Sequence, residues 1–132
     1  MKKALFFIVL PVGLLALLSA AYVTLILPSC VPQKPRVTAA ILDRMDTAME
    51  AFLTDTGTYP LSLAELLESD KAGWDGPYIT SGTLRDPWDN QFIYAVSESG
   101  GYYVLLSFGA DGKPGGVGVD ADIISKNSGP GL

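Results

Sequence analysis

The sequence predicts an α+β protein: an N-terminal transmembrane segment, then a long amphipathic helix packed on a small antiparallel sheet, with an acidic C-terminal loop suited to binding an ion. Three observations carry that expectation. An uncharged apolar run fills residues 4–27; apolar residues then recur at helical spacing over residues 37 to about 56. Two apolar-rich stretches, 91–97 and 102–108, flank a Gly-containing turn, and a glycine-rich acidic loop follows them directly.

With the apolar N-terminus set aside, about a hundred of the 132 residues remain, enough for one small domain at 37–132 with a modest core. All 14 carboxylates lie from Asp43 onward and meet only Arg44, Lys71, Arg85, Lys113 and Lys126, so this region carries a net charge of −9. Nucleic acid is therefore not an expected partner, because its phosphates would be repelled. There is no histidine, and Cys30 is the single cysteine. No disulfide can close within the chain, and the common zinc and copper ligand sets are missing. The usual base of Ser and Cys hydrolases is missing too, so an enzyme is not expected.

Lys2 and Lys3 precede the apolar run, which at ~1.5 Å per residue can cross a ~30 Å hydrocarbon core. The positive-inside rule places the N-terminus in the cytoplasm and the domain outside. Residues 1–27 thus read as an uncleaved membrane anchor or as a signal segment. The second reading draws on Leu27-Pro28-Ser29-Cys30, which approximates a lipobox with Cys30 as the lipidated residue. Pro28, Pro32 and Pro35 mark residues 28–36 as a linker that interrupts helix.

In the helix after the linker, Ile41, Met45, Ala48, Met49 and Phe52 form the apolar stripe, with Asp43, Arg44, Asp46 and Glu50 on the other side and Gly57 as a left-handed cap. Ser62 and Glu65 then have the spacing of a capping box, opening a short helix with Leu63, Leu66 and Leu67 inside and Glu65, Glu68 and Asp70 in solvent. Trp74 and Trp88 lie in turn-rich segments. They could stack on a sugar, although in a domain this small such residues more often complete the core. The hairpin turns at Glu98-Ser99-Gly100-Gly101, and the near-continuous apolarity of its second strand suggests cover by the long helix.

Residues 107–123, S-F-G-A-D-G-K-P-G-G-V-G-V-D-A-D-I, bring Asp111, Asp120 and Asp122 together among five glycines, with Lys113 as the one cation. Carboxylates gathered by a flexible loop repel one another unless a cation lies between them. A phosphate cradle is excluded by the same charge and by the absence of P-loop or dinucleotide spacing. Calcium suits the loop: it takes six to eight oxygens, which carboxylates and bent backbone carbonyls can share, although the EF-hand spacing is absent. Two further readings of the aspartates are solvated turn residues and, for Asp120 and Asp122, a catalytic acid–base pair.

Four blocks occur in order: D-T-G-T-Y-P at 55–60, W-D-G-P-Y-I at 74–79, D-P-W-D-N-Q-F-I-Y at 86–94, and the acidic loop. Together they resemble the ectodomain of the major pseudopilin of bacterial type II secretion systems. The resemblance implies a pseudopilin-like domain whose calcium ion pins the C-terminal loop against the sheet. It assigns Asp111 and Asp122 as side-chain ligands, Asp120 as a third, and Phe108 as a backbone carbonyl donor. It also implies a structural subunit that self-associates and meets other secretion-system subunits, anchored singly in the inner membrane with its domain in the periplasm. The N-terminus departs from that pattern: no acidic residue precedes Asp43, no Gly-Phe junction is present, and prolines separate the apolar run from the helix. A second reading follows from that departure. The same domain would act as a stand-alone, membrane-anchored or lipidated periplasmic binding module, using Trp74, Tyr78 and Trp88 on a ligand.

Overall fold

A computed structural model describes residues 33–130. The expected anchor at 1–27, the lipobox and the first part of the linker lie outside the described residues. Among the described residues, no helix is long and apolar enough to cross a membrane.

Helix α1 spans Lys34–Thr56 and so begins ahead of the expected residue 37. Pro35 permits this, because amides in the first helical turn have no intrahelical partner and the ring's fixed φ suits that position. The helix stops at Gly57, whose φ of 78° and amide bond to the Leu53 carbonyl at 2.8 Å form the expected left-handed cap. Leu42, Met45, Ala48, Met49 and Phe52 are buried along one stripe, and Ile41 packs against its edge. Enclosing each of the larger of these side chains is worth roughly 1.5–3 kcal/mol.

Asp46 corrects the expected polar face. It is only 5% exposed, on the same side as Leu42, Met45 and Met49, whereas Asp43, Arg44 and Glu50 do face solvent. A carboxylate is tolerated there because the Tyr103 and Ser125 hydroxyls both donate to its Oδ1, the first at 2.7 Å.

Strands β1 (Ile93–Val96), β2 (Tyr103–Ser107) and β3 (Ile123–Ile124) form an antiparallel sheet in that order. In the β1–β2 hairpin Ile93 faces Leu106 and Val96 faces Tyr103, and the Ser97 amide closes the turn on the Tyr102 carbonyl at 2.9 Å. β2 is central, and Tyr103 and Leu105 join the core cluster formed with α1. β3 was not foreseen, since two residues carry no periodicity, yet it pairs Ser107 with Ile123.

Between helix and hairpin the chain makes two 3₁₀ turns, Leu63–Leu66 and Ser81–Leu84. The expected capping box does not form: the Ser62 side chain makes no cap bond. Glu65 turns instead to Lys71, at 3.0 Å, and is half-buried, so only Glu68 and Asp70 of the predicted acidic face are exposed. A single tight turn offers poorer geometry for a reciprocal cap than an α-helix does. Trp74 completes the core, with its indole Nε1 donating to the Glu65 carbonyl at 3.0 Å and its ring edge-on to Tyr78. Trp88 is half-buried, and the Lys34 ammonium lies 5.8 Å from its ring centroid.

Candidate functional site

The acidic loop leaves the sheet at Ser107 and returns at Ile123, the last cross-strand pair of β2 and β3. Both ends are therefore fixed on neighbouring strands. Within the loop the Ala110 amide donates to the Val119 carbonyl at 2.9 Å, and a 3₁₀ turn covers Gly118–Asp120. Gly109 must be glycine on two counts: its φ is 68°, and a Cβ there would lie 2.8 Å from the carbonyl of Val119 and from the carbonyl carbon of Asp120. The two arms of the loop meet at this contact.

The predicted ligands fall on both arms. Phe108, half-buried, directly follows β2. Asp111 is exposed and its Oδ1 accepts the Lys113 amide at 3.1 Å. Asp120 is half-buried at the end of the 3₁₀ turn. Asp122 is exposed, and both of its oxygens accept the Gly115 amide at 3.0 Å. Among the described residues, no three Asp, Glu, His or Cys side chains are gathered closely enough to hold a metal ion between them. The donor set nonetheless fits a hard cation in kind. It consists of carboxylates and the carbonyls of a bent backbone, with no imidazole or thiolate in the loop. A cation held here would rely on backbone carbonyls as well as side chains.

A second group of polar residues braces the root of the loop, in a segment whose sequence shows only a turn. Asp86 is 5% exposed; its Oδ1 accepts the amides of Trp88 at 3.0 Å and Asn90 at 2.9 Å, and its Oδ2 accepts the Ser107 hydroxyl at 2.7 Å. The Ser107 oxygen in turn accepts the Gly109 amide at 3.1 Å, while Asn90 Nδ2 donates to the Gly109 carbonyl at 2.9 Å. The available signal was the spacing of Asp86, Trp88 and Asn90, since an Asp side chain commonly accepts amides two or more residues onward.

At the other end of β2, the Tyr103 phenol is held well above its ordinary pKa, first by burial and then by its bond to Asp46. Tyr94 is raised chiefly by burial, and its hydroxyl donates to the Pro60 carbonyl at 2.7 Å. An open cleft of about 710 Å³ also runs beside β1, lined by Leu61, Ser62, Arg85, Asp89, Gln91 and Tyr94 among others. Its guanidinium is engaged locally, with Arg85 donating to the Asp89 carbonyl at 2.6 Å and lying 3.6 Å from the Asp89 carboxylate.

Comparison with known proteins joins these features to one family. The sequence model of the family described as Type II secretion system (T2SS), protein G, matches residues 31–126. The chain is 40% identical over 77 residues to the Type II secretion system core protein G of Xanthomonas campestris pv. campestris, covering 57% of this chain and 54% of that one. It is 33% identical over 102 residues to the protein of the same name from Pseudomonas aeruginosa, covering 70% of this chain and 72% of the other. The chain thus spans about half the length of the first relative and nearly three quarters of the second.

Proposed function

The chain belongs to the type II secretion system protein G family, and we propose that it serves as a calcium-stabilised structural subunit of such a system, not as an enzyme. The observation that supports this reading is the extent of the family match. Residues 31–126 include all of α1, the hairpin, β3 and the whole acidic loop. The domain would stand in the periplasm, tethered to the inner membrane by residues 1–27. There it would associate with further copies of itself and with other secretion subunits, as a pseudopilus does.

Within that subunit, Asp111, Asp120 and Asp122 would hold calcium together with the Phe108 carbonyl. The ion would supply the positive charge that the loop lacks and tie its two arms together. Asp122 and Asp111 are already oriented by loop amides, which limits the entropy lost when they bind. Ser107 and Ile123 transmit the closure to the sheet, because they are both the loop's ends and a strand pair.

Crosslinking of the full chain in its native membrane tests the assembly reading. A ladder of self-crosslinked species is expected. Monomer alone, under conditions that crosslink other membrane subunits, would favour the stand-alone binding module.

A further inference from the structure

We infer that Asp86 and Asn90 are positioning residues for the cation loop: they set its ion affinity by gripping Gly109 from both sides, without themselves contacting the ion. The inference rests on the calcium reading above. Gly109 is the hinge of the loop, lying between the Phe108 carbonyl and Asp111 and packed directly on the backbone of 119–121, the arm that carries Asp120. Its amide is fixed through Ser107 to the buried carboxylate of Asp86, and its carbonyl is fixed by the Asn90 side-chain amide. The grip is pre-organised, since Asp86 holds the backbone of its own turn with two further bonds. Asn90 also lies beside the next bend, where a Cβ on Gly112 would come 3.3 Å from Asn90 Oδ1. One turn therefore holds Gly109 and leaves little room for a side chain at the second bend of the ligand-bearing arm. A loop whose φ angles are positive at Gly109, Gly112, Gly115, Gly116 and Gly118 has many alternatives to adopt once that hold is lost. Groups that orient metal ligands in this way typically change affinity by about 10–100-fold when removed.

Calorimetric titration of calcium into the full chain, with Asn90→Ala and Ser107→Ala as variants, tests the inference. The first variant frees the Gly109 carbonyl and the second frees its amide. Each is expected to weaken calcium binding by about tenfold or more, while both still unfold cooperatively in chelator and expose the Gly109 and Ala110 amides to faster hydrogen exchange. A purely structural role would move melting in chelator and leave the calcium affinity alone. If the wild type binds calcium and both variants bind within about twofold of it, the inference fails and the calcium reading stands. If the wild type itself takes up no calcium, both fail together. Should Ser107→Ala not fold, Asn90→Ala decides alone, since its side chain lies outside the sheet.

Discussion

Between α1 and β2 the large side chains are enclosed: Phe52, Met45, Met49 and Leu105 have no measurable exposure and Tyr103 has 1%. The carboxylate in that layer, Asp46, is satisfied by two hydroxyls. In the loop at 107–123 the balance is reversed. Val117 is 84% exposed, Asp111 and Asp122 face solvent, and most of what holds the segment is hydrogen bonding to amides and carbonyls. The first region draws its free energy from area removed from water and needs no ligand. The second buries little and is held mainly by hydrogen bonds within the loop and to the turn beneath it, so its order depends on bonds outside the apolar core, which a bound ion would reinforce. Calcium is the agent proposed for that role, and the division predicts different responses to the same perturbations.

The largest response belongs to the core. Phe52→Ala should destabilise the domain by about 3–5 kcal/mol in urea unfolding, equally with calcium and with chelator, because the ring packs beside Tyr78 and Lys71, neither of them in the loop. Chelation comes next: at free calcium about a hundred times Kd, removing the ion should cost about 2.7 kcal/mol, read as a lower melting temperature. Asp122→Ala should abolish that difference, melting alike with and without chelator. Asp46→Ala strands the Tyr103 and Ser125 hydroxyls and should cost about 1–3 kcal/mol, again without regard to calcium. A mutational cost that differs between calcium and chelator, in either core variant, would break the comparison.

The smallest response is to alkali. Tyr103 and Tyr94 have folded-state pKa values raised by burial, above the value of about 10 expected when unfolded. Their contribution is fully present below that unfolded value. It is lost as pH rises through 10 and toward the folded values, because the unfolded chain gives up its phenolic protons first. Urea midpoints should therefore fall between about pH 9 and pH 11. Tyr103→Phe should flatten part of that slope, and an unchanged slope would contradict it.

The same contrast explains what could be read from the residues. The helix, its Gly57 cap and the hairpin follow from local periodicity and turn chemistry, so they were visible in consecutive residues. The burial of Asp46 was not, because its partners lie 57 and 79 residues away and nothing local announces them. The Asp86–Ser107 bond spans 21 residues and the Asn90–Gly109 bond spans 19, so the brace was hidden inside what looked like an ordinary turn. The acidic loop was conspicuous by composition, whereas β3, the strand that returns it to the sheet, was too short to show a pattern.

Hydrogen exchange of the full chain, followed residue by residue with calcium and with chelator, puts the central claim to its most direct test. Amides from Gly109 to Asp122 should be protected with calcium and exchange faster without it, while Leu105 and Leu106 in β2 exchange equally in both. Loop amides that exchange alike in the two conditions would contradict the account.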